Sequence, residues 1–422
     1  MKARPAFMLV GAAALTLALG ACSSSGGTGG TTATTPAAAP TTAAAPTAVT
    51  LTVWGPQEDQ VDSTSWLPKQ EAAFEAAHPE YKITWKNAVV SEGDAGKTVQ
   101  QDPSAAADVY MFANDQLGTL VQAHAIGQLP PDVVAQVKQQ NSDIMVTSVT
   151  GSDGNIYGVP YTANTWFMYY NASKFTADDV KNLDTMLAKG KVAFPIDTAW
   201  YLASFYVGNG GTLFGPQGTD ETAGIAFTGT QASDVTKYLT GLVKNKNFVN
   251  DANGAGLAGL QNGTIDAYFS GSWDAANVKK ALGANEGAAQ PPTYTLNGSA
   301  VQLKAFAGSK AVAFNPNAKN PQAAAKFAAF LGSTAAQQAH YDMRGIIPSD
   351  KSLASSASIT ADPVAVAQMN TVANASTLQP TVAKMGTFWD PTTSFGKALL
   401  SGDVTAANAA DKTAAWNTAL NS

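Results

Sequence analysis

Three scarcities shape what this 422-residue chain can be. It carries one cysteine, Cys22, so neither a disulfide within the chain nor a cysteine-based metal site is possible. Its three histidines, His78, His124 and His340, are far apart and sit in no HxxxH or HExxH setting. No metal is therefore expected. Charged residues are only 13 %, with 25 Lys+Arg against 31 Asp+Glu and a formal net charge of −6. Without a basic excess to neutralise phosphates, the chain does not read as a nucleic-acid binder. After the first 22 residues no apolar run approaches the roughly 20 residues of a membrane span. What is present is 45 % apolar residues, with abundant Ala, Thr, Gly and Asn. That composition suits a large globular body with a neutral surface of hydroxyls and amides, and at about 150 residues per domain the length allows two or three domains.

The beginning of the chain is built differently. Lys2 and Arg4 give a positive start, Ala6 to Leu19 an apolar stretch, and Leu19-Gly20-Ala21-Cys22 a close of small residues. This is the layout of a secretory signal peptide over residues 1–21. The ending resembles the bacterial lipobox, which implies a lipid on Cys22 and a membrane anchor. Residues 22–49 hold Ser, Gly, Thr, Pro and Ala, with no charge and no aromatic residue, and read as a flexible tether. The expected location is the cell envelope, lipid-anchored at the outer face of the cytoplasmic membrane.

From residue 50 onward, short β-rich runs alternate with amphipathic stretches. Strands are expected at Leu51–Trp54, Ile83–Trp85, Asp108–Phe112, Val192–Ile196, Ala267–Phe269, Val301–Phe306 and Ala311–Phe314. Helices are expected at Trp66–Ala77, Asp115–His124, Pro321–Leu331 and Pro363–Asn370, with short helices after Phe388 and a hairpin turn at Ser152–Asn155. Such alternation predicts an α/β fold with mixed, mostly parallel sheets.

Two motif matches fail on context. Gly254–Gly259 fits GxGxxG but follows a polar stretch rather than a strand. Gly93–Thr98 resembles the end of a phosphate loop, yet Ser91 stands where the first glycine belongs, so a helix N-terminus is the better reading. No GxSxG elbow occurs in the folded part. Glu58, Asp59 and Asp115 are the acids that a glycosidase pair would draw on.

The distinctive feature is tryptophan in polar, turn-forming company. Of the eight, Trp85 and Trp416 read as packing residues. Trp200, Trp273 and Trp389 lie in Thr198–Tyr201, Ser270–Asp274 and Gly386–Pro391. A flat ring beside a turn is either a lid on the core or a platform facing solvent. A pyranose offers an apolar CH face to such a platform and a rim of hydroxyls to Asp, Glu, Asn and Gln.

The same segments resemble the bacterial extracellular solute-binding proteins of ABC importers, in the branch that binds maltose and maltodextrins. The resemblance rests on Leu51–Gly55, Ala107–Asp115, Tyr157–Tyr161, Tyr169–Asn171, Asn209–Gly211, Phe269–Trp273, Phe306–Gly308 and Met385–Trp389. It implies two α/β lobes of the periplasmic-binding-protein type, each discontinuous in sequence, with a hinged cleft between them. The first lobe would comprise residues 50–163 and 307–347, the second residues 164–306 and 348–422. Carried over position by position, it implies ligand contacts from Gln57, Glu58, Asp59, Phe112 and Asp115 in the first lobe. Asn164 and Trp166 would sit at the first crossover, and Trp200, Tyr201, Trp273 and Trp389 would form the second lobe's platforms. The sequence departs from the family pattern at Gln116, where an arginine is usual, and at Thr198, Ala275 and Asp390. The implied partners are a maltodextrin-type oligosaccharide and the permease subunits of an ABC importer, with no cofactor and a monomeric state. Two other readings stay open: a binding protein of this fold for a different solute, and a surface enzyme acting on glucans.

Overall fold

The computed structural model describes residues 45–102, 106–216 and 218–422. The signal peptide, Cys22 and the tether through residue 44 lie outside the described residues. In chain order the strands that frame the molecule are β1 (Thr47–Gly55), β2 (Tyr81–Val89), β3 (Val109–Ala113), β4 (Val159–Ala163), β5 (Phe167–Asn171), β6 (Val192–Phe194), β7 (Phe248–Asn250), β8 (Ala267–Ser270), β9 (Glu286–Ala289), β10 (Ala305–Ala307), β11 (Ser309–Phe314) and β12 (Ser376–Leu378).

Ten of them form two five-stranded sheets, one in each of two lobes. The first runs in the order β2-β1-β3-β11-β4 and the second β9-β5-β8-β6-β7. In β1, Val49, Leu51 and Val53 alternate with polar threonines and point into the core, the period of two that a half-buried strand requires. The pairing Thr47↔Tyr81 draws residues 47–49, expected in the linker, into the sheet. β3 lies at the centre of its sheet, and all five of its residues, Val-Tyr-Met-Phe-Ala, are buried. A strand covered on both faces reads as a continuous apolar run.

The sheets are mixed, but not mostly parallel. β1–β2, β1–β3, β8–β6 and β6–β7 are parallel, whereas β3–β11, β11–β4, β8–β5 and β9–β5 are antiparallel. A parallel neighbour needs a long return connection, usually a helix. Here β4 passes into β5 through Asn164–Trp166 alone, and β10 passes into β11 through Gly308 alone. Strands that arrive directly from the other lobe enter without a return helix and run against their neighbours. The run expected as one strand over Val301–Phe306 also divides. Ser299–Gln302 forms a hairpin with Thr293–Leu296, and β10 instead pairs with β12. Between them, the Leu303 and Lys304 amides donate to the Pro292 and Ser204 carbonyls.

These crossings make the joint between the lobes. The Asn164 amide donates to the Gly308 carbonyl at 2.9 Å, and Thr162 pairs with Pro348 across a third passage of the chain. Gly308 is required here by close approach: a Cβ would lie 2.1 Å from Asn114 Oδ1. Asn114, buried at the end of β3, donates in turn to the Gln379 carbonyl just beyond β12.

Helices complete each lobe. Trp66–Ala77 buries Trp66, Leu67 and Phe74, and Phe74 packs edge-on against Phe327 and Phe330 of Pro321–Leu331. In the second lobe, Trp416 of Ala409–Leu420 stacks on Phe395 of Trp389–Ser401, with ring centroids 4.4 Å apart and planes within 9°. Among the described residues no helix is long and apolar enough to cross a membrane.

Candidate functional site

A cavity of about 710 Å³ lies between the lobes. Its two walls differ in chemistry. The first-lobe wall is polar and begins where β3 ends. The chain turns through Asn114–Gln116, and this turn sets Asp115 against the cavity. Beside it, Ser91–Gly93 leads into the helix Ala95–Gln101, whose Gly96, Lys97 and Gln100 also line the space. Gln116 fixes the two pieces together. Its Oε1 accepts from the Gly96 amide at 2.5 Å, while its Nε2 donates to the carbonyls of Glu92 at 2.9 Å and Gly93 at 2.7 Å. With both ends of its amide engaged, Gln116 is a fixed part of the wall it lines.

Two carboxyls face the cavity in opposite electrostatic states. Burial pushes Asp115 up to about 7, and its own backbone N–H offsets only part of that shift. Burial also acts against Glu92, but Lys310, 3.3 Å away, and the Tyr161 hydroxyl that donates to it hold its carboxyl below the usual range.

The second-lobe wall is aromatic. Trp200 stands in the first turn of the helix Ala199–Gly208, Trp273 in the turn after β8, and Trp389 at the start of its helix. Trp200 and Trp273 have centroids 6.0 Å apart and planes inclined by 33°. Trp273 is 43 % exposed, unusual for so large an apolar side chain, and rests on Gly271, where a Cβ would clash with its ring at 2.0 Å. Trp200 donates from Nε1 to Gln379 Oε1 at 3.2 Å. Edge contacts to Phe388 and Phe306 steady Trp389. Asn164, on the crossing itself, joins the two walls.

Of the residues expected at the site, Asp115, Asn164, Trp200, Trp273 and Trp389 line this cavity together. Others are placed elsewhere. Phe112 and Trp166 are fully buried, the first in the central strand of its sheet and the second at the heart of the second-lobe core, so neither presents a ring face to the cleft. Tyr201 lies beneath the platform: it stacks on Trp166 at 5.1 Å and meets Trp200 edge-on at 5.3 Å. Gln57 is exposed and lines neither this cavity nor the smaller one beside it. Glu58 and Asp59 belong to that second compartment, of about 140 Å³, which shares Ser91, Glu92, Trp273 and Lys310 with the first. Asp59 is committed to a buried ion cluster, with His340 Nε2 at 3.0 Å and Arg344 Nε at 3.3 Å, and His340 stacks on Trp66 at 4.0 Å.

Sequence reasoning missed Glu92, Lys310, Gln379 and the Gly93–Gln100 stretch. The last carried a signal, since paired glycines in a polar run permit close approach of a helix end. Lys310 carried one too, as the charge in the otherwise apolar run Ala305–Phe314. Among the described residues no cluster of three or more His, Cys, Asp or Glu could hold a metal.

Residues 69–367 match the family of bacterial extracellular solute-binding proteins. The chain belongs to that family. Among curated relatives of this solute-binding protein is a maltooligosaccharide ABC transporter solute-binding lipoprotein of Streptococcus pneumoniae (strain ATCC BAA-255 / R6). The two are 29 % identical over 348 residues, 78 % of this chain and 80 % of the relative. A structure solved with acarbose is 50 % identical and superposes with a TM-score of 0.85, covering 88 % of this chain and 98 % of that one. The maltodextrin-binding protein MalE1 from L. casei BL23, solved without ligand, is 31 % identical with a TM-score of 0.81, covering 88 % and 99 %. The two-lobed architecture of the solute-binding protein is thus that of its structural relatives.

Proposed function

We propose that this protein captures maltose- and maltodextrin-type oligosaccharides in the interlobe cleft and delivers them to the permease of an ABC importer. The observation that carries the reading is the pairing of walls: Trp200, Trp273 and Trp389 face Asp115, Glu92 and Lys310 across a space of about 710 Å³. Indole faces match the CH faces of pyranose rings, and the carboxyls and ammonium match the hydroxyl rim. The kinship with a maltooligosaccharide-binding lipoprotein and with a structure solved with acarbose supports the same ligand class.

No bond is made or broken. The open form exposes two half-sites, and ligand bridging them favours a closed form that the permease reads. Stacking contributes on the order of 1 kcal/mol per ring beyond burial. Hydroxyl hydrogen bonds add about 0.5–1.5 kcal/mol each. Three rings and several such bonds reach micromolar affinity, about 8 kcal/mol. Gly308 and Asn164 mark the joint, with residues 50–163 and 307–347 moving against 164–306 and 348–422. A lipid on Cys22 and the tether that follows hold a monomeric binder near its permease and raise its effective concentration there.

Calorimetric titration of the purified protein with maltose through maltoheptaose, and with acarbose, tests the reading. Saturable binding without release of glucose or maltose is expected. Product accumulating from maltotetraose would replace capture with catalysis, and heats from none of these sugars would remove the ligand class.

A further inference from the structure

The cleft is divided in two, and the divider is a side chain that neither the family comparison nor the aromatic motifs single out. Lys310 lies on β11, beside the joint. Its Nζ is 3.3 Å from Glu92 Oε1 in its own lobe and 5.9 Å from the centroid of the Trp273 ring in the other lobe. That distance is at the outer reach of a cation–π contact. Lys310 and Trp273 line both the 710 Å³ compartment and the 140 Å³ one, so their contact stands at the boundary. The smaller space is well below the roughly 300 Å³ of a drug-sized site and has room for a single end unit rather than a chain. Gln116 supplies no free N–H donor at this point, because both hydrogens of its amide go to backbone carbonyls.

We propose that Lys310 is a specificity-determining residue of the sugar site: its ammonium, anchored by Glu92 and laid against Trp273, binds the hydroxyls of the unit that enters the small compartment and so sets the preference for chain length. The proposal rests on the sugar-capture reading. Short ligands occupy the large compartment alone and meet the lysine only from that side. Longer ligands cross the boundary and gain affinity through it.

The test is the chain-length profile of binding, from maltose to maltoheptaose, for the wild type and three variants. Lys310→Met removes the charge but leaves Glu92 buried without its partner, so the double variant Lys310→Met, Glu92→Gln accompanies it as a neutral pair. Lys310→Arg restores the cation. The wild type should gain at least tenfold in affinity along the series. The double variant should lose that gain and regain nothing from extra units, while Lys310→Arg keeps most of the gain. A double variant with the wild-type profile, or one weakened equally for every length, would overturn the proposal. A wild type that binds the sugars with no length dependence would overturn it as well. A wild type that binds none of them would fail the sugar-capture reading itself and take this proposal with it.

Discussion

The two walls of the cleft are made by opposite means. On the second lobe, three indoles sit at the starts of helices or in a turn, half-exposed and braced by other rings, and each offers apolar surface. Among the described residues of the first lobe no aromatic ring lines the larger cavity. That wall is built from backbone held by Gln116 and from charged groups whose states are set by burial and by each other. The contrast teaches a division of labour. If the cleft holds sugar as proposed, the aromatic wall would supply affinity that depends little on pH or salt, because stacking and burial involve no ionisation. The polar wall supplies orientation and selectivity, and its contribution follows the protonation of its carboxyls.

Several variants break or sharpen this contrast. The largest effect is expected from removing two platforms together. Trp200→Ala combined with Trp389→Ala should weaken maltotetraose binding by about a hundredfold, from stacking and burial lost at both rings. Calorimetry gives the affinity, and an unchanged melting temperature would show that the fold survives. Trp273→Ala alone should cost about tenfold with little effect on stability, since this ring is the most exposed of the three. If it costs nothing, the aromatic wall ends at Trp200.

The polar wall should respond to pH. If sugar hydroxyls donate to Asp115 as proposed, binding favours the charged form of a carboxyl that burial pushes up to about 7. Affinity should therefore rise a few-fold as pH increases from 6 to 8, with protons released on binding near pH 6.5. Asp115→Asn should flatten that dependence, and a wild-type profile already flat would separate Asp115 from the ligand. Glu92 should act through stability at lower pH. Because its carboxyl is held below the usual range, its contribution is present above about pH 4.5 and is lost as the pH falls through its folded-state value. Glu92→Gln should reduce the acid sensitivity of the melting temperature between pH 5 and 3. The smallest effect belongs to Gln57→Ala, which should change affinity less than twofold because this residue lines neither compartment.

Much of the frame was legible in the sequence because local signals and tertiary demands agreed. Trp66–Ala77 carries apolar residues on one face, and Pro321–Leu331 opens on a proline at its first turn, so both helices form where their patterns place them. Val301–Phe306 misled because its residues suit a strand while its backbone serves two different partners, a choice made by distant segments. The same distinction governs the site. Rings beside turns at Trp200, Trp273 and Trp389 are placed at the cleft by local chain direction. Phe112 and Trp166 stand in equally suggestive motifs, but a central strand and a crossing covered on every side bury them. The charge of Lys310 in an apolar run marked the position but not its direction, because a lone lysine in a strand ordinarily points to water. Only the pairing of β11 with β3, which sets Lys310 opposite Ala113, brings it to the boundary between the compartments.

The most direct test of a clamp with one aromatic and one polar wall is a titration of the full protein with maltotetraose, following heat and tryptophan emission in the same samples. Saturation near micromolar concentration is expected, with an emission change that tracks the heat and shrinks in Trp273→Ala. Heat that saturates with no change in emission, or no saturation up to millimolar sugar, would contradict it.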